Sequence, residues 1–168
     1  MGRDQEFSEY AAAHWSGLVR SAVSLGCSVD DAQDLAQTTL IRCYVSWRRV
    51  EAADDREGYV YRILLNCLRD SRRRRWWGER PFAAPPSLGA MQDETNSVDV
   101  ADAVHRALAG LKNHNREVVV LRHCAQLSEA QTADILKISP GTVKSRLSRS
   151  LAQLAKSSHL SDFAEGHK

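Results

Sequence analysis

At 168 residues and a formal net charge of +2, the chain has room for one medium or two small domains and no bulk field to draw it to a polyanion. No apolar run approaches the roughly 18 residues needed to span a bilayer. The four cysteines, Cys27, Cys43, Cys67 and Cys124, are scattered without a CxxC pair, which argues against a disulfide framework or a zinc knuckle.

No basic start followed by an apolar run opens the sequence, so the cysteines are expected to be reduced, mostly buried thiols of a cytoplasmic protein. His114, His123 and Cys124 lack a fourth ligand at helical or knuckle spacing, and no metal is expected. The charge is unevenly spread. Residues 1–61 carry ten acids and six Lys/Arg, whereas residues 62–75 carry six Arg and one Asp, which suggests two surfaces with different partners.

In chain order, Phe7, Tyr10, Ala11, Trp15, Leu18, Val19 and Ala22 recur at steps of three and four and predict an amphipathic helix that Gly26 ends. Ser28 and Asp31 form a capping box that opens a second helix, DDAQDLAQTTLIRCYVSW, whose apolar stripe runs through Ala32, Leu35, Leu40, Cys43, Tyr44 and Trp47. Asp34, Gln37, Thr38, Ile41 and Arg42 lie on its other flank and suit a docking face for another protein. Charges cluster from Arg48 to Glu57, which reads as a loop.

A third helix, EGYVYRILLNCLRDSRRRRWW, turns Val60, Leu64, Cys67 and Leu68 inward. Its opposite side offers Tyr59, Arg62, Asn66, Arg69 and Arg73: cations for phosphates, a ring for stacking and an amide for base edges. This composition suits single-stranded or distorted DNA. Four consecutive arginines repel one another on a free surface, so a polyanion is the expected neighbour.

Residues 78–98 gather Pro81, Pro85 and Pro86 with Gly78, Gly89, Ser87, Asn96 and Ser97 and lose all periodicity, as a linker does. From Asp99, Val100, Val104, Ala107, Leu108 and Leu111 predict one helix, and REVVVLRHCAQL predicts another. Its valine run suits a strand as well, but no partner strand exists nearby.

The segment SEAQTADILKISPGTVKSRLSRSLAQL then carries two helix starts about eleven residues apart: a capping box at Ser128 and Gln131, and Ser139 followed by Pro140. A turn that short makes the helices cross steeply, as in a helix-turn-helix. Ala130, Ala133 and Leu136 are the expected inward stripe of the first, and Val143, Leu147, Leu151 and Leu154 that of the second. The outer face of the second helix holds Thr142, Lys144, Ser145, Ser148 and Arg149, and Ile135 to Leu160 contains no acid. Such a helix fits the major groove. The fold class expected is all-α, two small helical domains joined by a flexible linker.

The pieces DDAQDLAQTTLIRCYVSW, EGYVYRILLNCLRD and VVVLRHCAQLSEAQTADILKISPGTVKSRLSRSLAQL, in this order, resemble a bacterial sigma factor of the extracytoplasmic-function group, the minimal members of the sigma-70 superfamily. WRRV and ADD-x-E-x-YV are similar to its actinobacterial branch. The resemblance implies a region 2-like domain at residues 1–77, a linker at 78–98, a region 4-like domain at 99–160 and a tail at 161–168. It implies docking on core RNA polymerase, at the clamp helices of the largest subunit and the flap, with Asp34, Gln37, Thr38 and Ile41 on the clamp helices.

It further implies a −10 promoter element held by Tyr59, Arg62, Asn66, Arg69 and Arg73, and a −35 element read by Thr142, Lys144, Ser145, Ser148 and Arg149. The linker would thread toward the active-site channel and RNA exit path. Family members often have an anti-sigma inhibitor, and none needs a cofactor or membrane. The chain departs from the family pattern at Lys137, where glycine is common, at Lys112-Asn113-His114-Asn115, where a proline-containing helix start is frequent, and at Thr38, where an acid is usual.

The alternative is a conventional helix-turn-helix repressor or activator acting on duplex DNA without polymerase. An enzyme lacks support, since neither a glycine-rich phosphate loop nor a nucleophile and base arrangement is present.

Overall fold

The computed structural model describes residues 2–78, 95–157 and 160. Among them every element is helical, and the chain divides into two compact units. The first is built on α1 (Arg3–Ser24), α2 (Val29–Val45), α3 (Trp47–Ala52) and α4 (Arg56–Trp76). The second is built on α5 (Thr95–Ala109), α6 (Asn113–Val119), α7 (Glu129–Leu136) and α8 (Pro140–Ala155), with a π-helical turn Val120–Cys124 continuing α6. The all-α reading therefore holds. Helix α5 begins at Thr95, four residues before the end of the linker expected from the sequence; residues 79–94 and the tail 161–168 lie outside the described residues.

The first unit packs around Trp47, which is almost fully buried. The rings of Phe7 and Tyr10 meet it at 5.3 and 5.2 Å, and the Arg56 guanidinium lies 5.8 Å above it. The stretch from Arg48 expected as a loop is helical as far as Ala52, because Trp47 and Val50, three apart, both turn inward while Arg48, Arg49 and Glu51 stay in water. Asp55 then starts α4 by accepting from the Gly58 amide at 2.9 Å. A Cβ at Gly58 would fall 2.0 Å from that carboxylate, so a larger residue there would push the Asp55 side chain out of this cap geometry.

Helix α2 packs on α4, with Ala32, Leu35, Leu40 and Cys43 buried as expected from one side and Val60, Leu64, Cys67 and Leu68 from the other. Tyr44 is an exception to the expected stripe. It sits at the surface, its hydroxyl donating to Asp4 at 2.7 Å and its ring edge-on to Phe7 at 5.0 Å, and so ties α1 to α2. Trp15 is also more exposed than its periodicity implies.

In the second unit α6 and α7 both pack on α8. Val118, Ala133 and Val143 form one buried cluster; Leu108, Leu111 and Val119 form another, against which Leu147 and Leu154 rest. The helical reading of the valine run holds, but past Val119 the winding loosens: the Ala125 amide donates to the Val120 carbonyl at 2.9 Å, five residues back. Arg116 holds the end of α5, donating from Nε to the Leu108 carbonyl at 2.9 Å and from Nη2 to those of Ala109 and Leu111 at 3.0 Å. Those carbonyls lie at the end of α5 and just past it, where the regular helical bonds run out, so a fixed guanidinium fork is well matched to them.

Two inward stripes differ from expectation. In α7 Ala130 faces water, and Thr132 and Ile135 are buried beside Ala133. In α8 Leu151 is 41% exposed and Ser150 takes the buried position, giving steps of four, three and four from Val143 through Leu147 and Ser150 to Leu154.

Candidate functional site

The turn between α7 and α8 is built as the spacing of its caps demands. The Gln131 amide donates to Ser128 Oγ at 3.1 Å and the Ser128 amide to Gln131 Oε1 at 2.7 Å, a complete reciprocal cap. Lys137 closes α7 in the left-handed region, φ 56° and ψ 43°. Ser139 Oγ accepts from the Thr142 amide at 3.1 Å, with Pro140 at the first helical position.

All five residues named for the −35 element lie on α8 with solvent access, Lys144, Ser145, Ser148 and Arg149 exposed and Thr142 half-buried. They hold one another along the helix. Arg149 Nε donates to the Ser145 carbonyl at 3.2 Å, and the Thr142 and Ser139 hydroxyls are 2.9 Å apart. Lys144 Nζ lies 3.8 Å from Glu129 Oε1, so α7 supplies an acid that α8 itself lacks.

On α4, Tyr59, Arg62, Asn66, Arg69 and Arg73 follow steps of three and four and are all at least partly exposed, opposite the buried Val60, Leu64, Cys67 and Leu68. The arginine run is not one uniform cationic patch. Arg73 pairs with Asp70 at 2.5 Å, Arg75 reaches across to Asp31 of α2 at 2.7 Å, and Arg42 of α2 lies 3.5 Å from Asp70.

On α2, Asp34, Gln37, Thr38 and Ile41 are exposed along one face. Asp34 and Thr38 border a cleft of about 280 Å³ against Arg42 and Arg74. Ile41 is 57% exposed, and Val45, one turn further on, is 77% exposed. Val45 is not among the docking residues expected from the sequence, although its spacing of four from Ile41 places it on the same face. Trp76 and Trp77, at the end of α4, were also assigned no role; they are 87% and 79% exposed.

Of the cysteines, Cys43 and Cys67 are buried, Cys27 is half-buried and Cys124 is exposed, which corrects the expectation of mostly buried thiols for the last. Burial pushes the Cys43 thiol up to about 11.

Comparison with known proteins matches residues 11–78 to Sigma-70 region 2 and residues 101–154 to Sigma-70, region 4. The chain is 37% identical over 158 residues to an RNA polymerase sigma-E factor of Streptomyces coelicolor, covering 92% of this chain and 86% of that one. It is 32% identical over 152 residues to the ECF RNA polymerase sigma factor SigM of Mycobacterium tuberculosis, covering 89% and 76%.

Among solved structures it is similar to the sigma factor RpoE of Bartonella quintana in complex with the anti-sigma factor NepR: TM-score 0.71, 25% identity, 89% of this chain and 94% of that one. It shares the fold of CnrH in complex with the cytosolic domain of CnrY, with TM-score 0.67, 23% identity and coverage of 98% and 91%. A region 2 in front of the helix-turn-helix sets aside a conventional repressor or activator. The chain belongs to the sigma-70 family, in its extracytoplasmic-function group, and is a non-enzymatic initiation factor that directs RNA polymerase to specific promoters.

Proposed function

We propose that three helical faces divide the work of initiation. Helix α2 docks on the clamp helices of core polymerase through Asp34, Gln37, Thr38 and Ile41, with Val45 extending the apolar part of the patch. Helix α4 holds the −10 element through Tyr59, Arg62, Asn66, Arg69 and Arg73. Helix α8 reads the −35 element through Thr142, Lys144, Ser145, Ser148 and Arg149, its unit resting on the flap. This assigns residues 1–77 to region 2 and 99–160 to region 4, with 78–98 as the connection through polymerase and 161–168 as a tail.

The observation that carries the reading is the separation of faces on α4. One side is core, and the other presents a ring, an amide and cations in register along the helix. Phosphates supply most of the affinity, and the ring and amide take unstacked bases. Each unit alone holds DNA weakly; polymerase, by holding both, raises the effective concentration of one for the other.

The site of action is the cytoplasm, where the polymerase works. The complex of RpoE with NepR supports adding an anti-sigma protein as a regulating partner.

The test pairs Lys144→Ala with Arg149→Ala in reconstituted holoenzyme. Initiation that depends on the −35 element is expected to fall at least tenfold, at about 1–3 kcal/mol per lost base contact, while binding to core polymerase is unchanged. Unaltered transcription would remove α8 from promoter reading.

A further inference from the structure

The two most exposed large apolar side chains among the described residues stand side by side at the end of α4. Trp76 and Trp77 follow Arg73 by three and four residues, so on a helix of 3.6 residues per turn they fall about 60° to one side of it and 40° to the other. They continue the line of Tyr59, Arg62, Asn66, Arg69 and Arg73. Burial does not explain them, because both rings are more than three-quarters exposed. Gly78, at φ +96°, ends the helix directly behind them.

We propose that Trp76 and Trp77 form a second aromatic platform for promoter DNA, at the opposite end of the α4 strip from Tyr59. This rests on the reading of that strip as the −10 surface. Seventeen residues at about 1.5 Å each put Tyr59 and Trp76 roughly 26 Å apart, the length of some seven or eight stacked nucleotides at about 3.4 Å each. A strand stacked at both ends is held along its whole length, and each stacked base adds affinity of about 1–3 kcal/mol beyond what phosphate contacts supply.

Charge selects DNA over a protein as the occupant. From Arg69 to Arg75 the helix carries five arginines against Asp70 alone, directly before the rings. Arg73 pairs with Asp70 and Arg75 with Asp31, and with five arginines against one acid this end of the helix still carries a positive charge. A nucleic-acid strand brings a negative charge with every base, so one partner satisfies both the arginines and the rings; a protein would have to alternate acids with exposed apolar groups to do the same.

The test uses holoenzyme reconstituted from the full chain and core polymerase, with single-stranded oligonucleotides of the non-template −10 sequence, about four and about eight nucleotides long. Wild-type holoenzyme should gain roughly tenfold or more in affinity with the longer strand. Trp76→Ala with Trp77→Ala should lose that gain, keep the affinity for the short strand and keep core binding. Replacement of both by Phe should restore most of the gain.

Equal length dependence in wild type and the alanine variant overturns the proposal. So does loss of core binding with DNA affinity intact, which would make the pair a protein contact. Asn66→Ala and Arg62→Ala serve as the control: if they weaken the short strand while the tryptophan variant changes nothing, the strip stands and only the platform falls. If neither set affects DNA, the strip reading falls with it.

Discussion

Lys137 holds a left-handed backbone, φ 56°, at the corner where α7 gives way to α8. A side chain with a Cβ is strained there by roughly 1–2 kcal/mol, whereas glycine is not; the larger entropy of glycine in the unfolded chain returns part of that difference. Lys137→Gly should therefore raise stability by roughly 1 kcal/mol, visible as a few degrees in the melting temperature. A lower melting temperature would show that the lysine side chain stabilises the corner in some other way. The same conformation at Gln126, φ 55°, has no signature in the sequence.

Thiol chemistry gives a second residue-scale outcome. Cys124 is open to solvent, while Cys43 and Cys67 are buried and burial raises both thiols. At pH 8 a thiol-specific reagent should label Cys124 first and reach Cys43 and Cys67 only when the unit opens. Labelling of Cys43 as fast as Cys124 would mean that the packing of α2 on α4 is looser than described.

At the scale of single helices, caps were the most legible feature. Ser128 with Gln131, and Ser139 with Pro140, fix the starts of α7 and α8 because a hydroxyl or amide at those positions has an unsatisfied backbone N–H to meet. Inward faces were legible only while burial followed hydrophobicity. Ser150 displaces Leu151 from the core because its hydroxyl donates to the Arg146 carbonyl at 2.6 Å and so enters apolar surroundings without an unmet hydrogen bond. Thr39 does the same on α2, donating to the Leu35 carbonyl at 2.8 Å.

Helix α3 was hidden by charge density, since only two of its six residues face inward. On the candidate site, the spacing that gives the exposed strip on α4 stops at Arg73, and Trp76 and Trp77 lie one to each side of the line through it. For α2, Asp34→Arg reverses the sign of the docking face at an exposed position and should lower core-polymerase affinity about tenfold or more, with helicity unchanged. A pull-down equal to wild type would argue against that face.

Across the whole molecule, a net charge of +2 conceals an acidic front and an arginine-dense segment immediately after it. The first fits a basic protein surface and the second fits DNA, so one compact unit can meet polymerase and promoter at once. Residues 11–78 match Sigma-70 region 2 and residues 101–154 match Sigma-70, region 4, one in each compact unit. Their combined phosphate contacts should make promoter binding by holoenzyme fall steeply with salt, and removing either set of cations should flatten that slope by about one per lost contact.

The most direct measurement is transcript sequencing from a random promoter library, using core polymerase with and without the purified chain. Discrete start sites that share sequence near −10 and −35, present only with the chain, are the expected result. Failure to associate with core polymerase under conditions where a known initiation factor does, or starts indistinguishable from those of core polymerase alone, would contradict it.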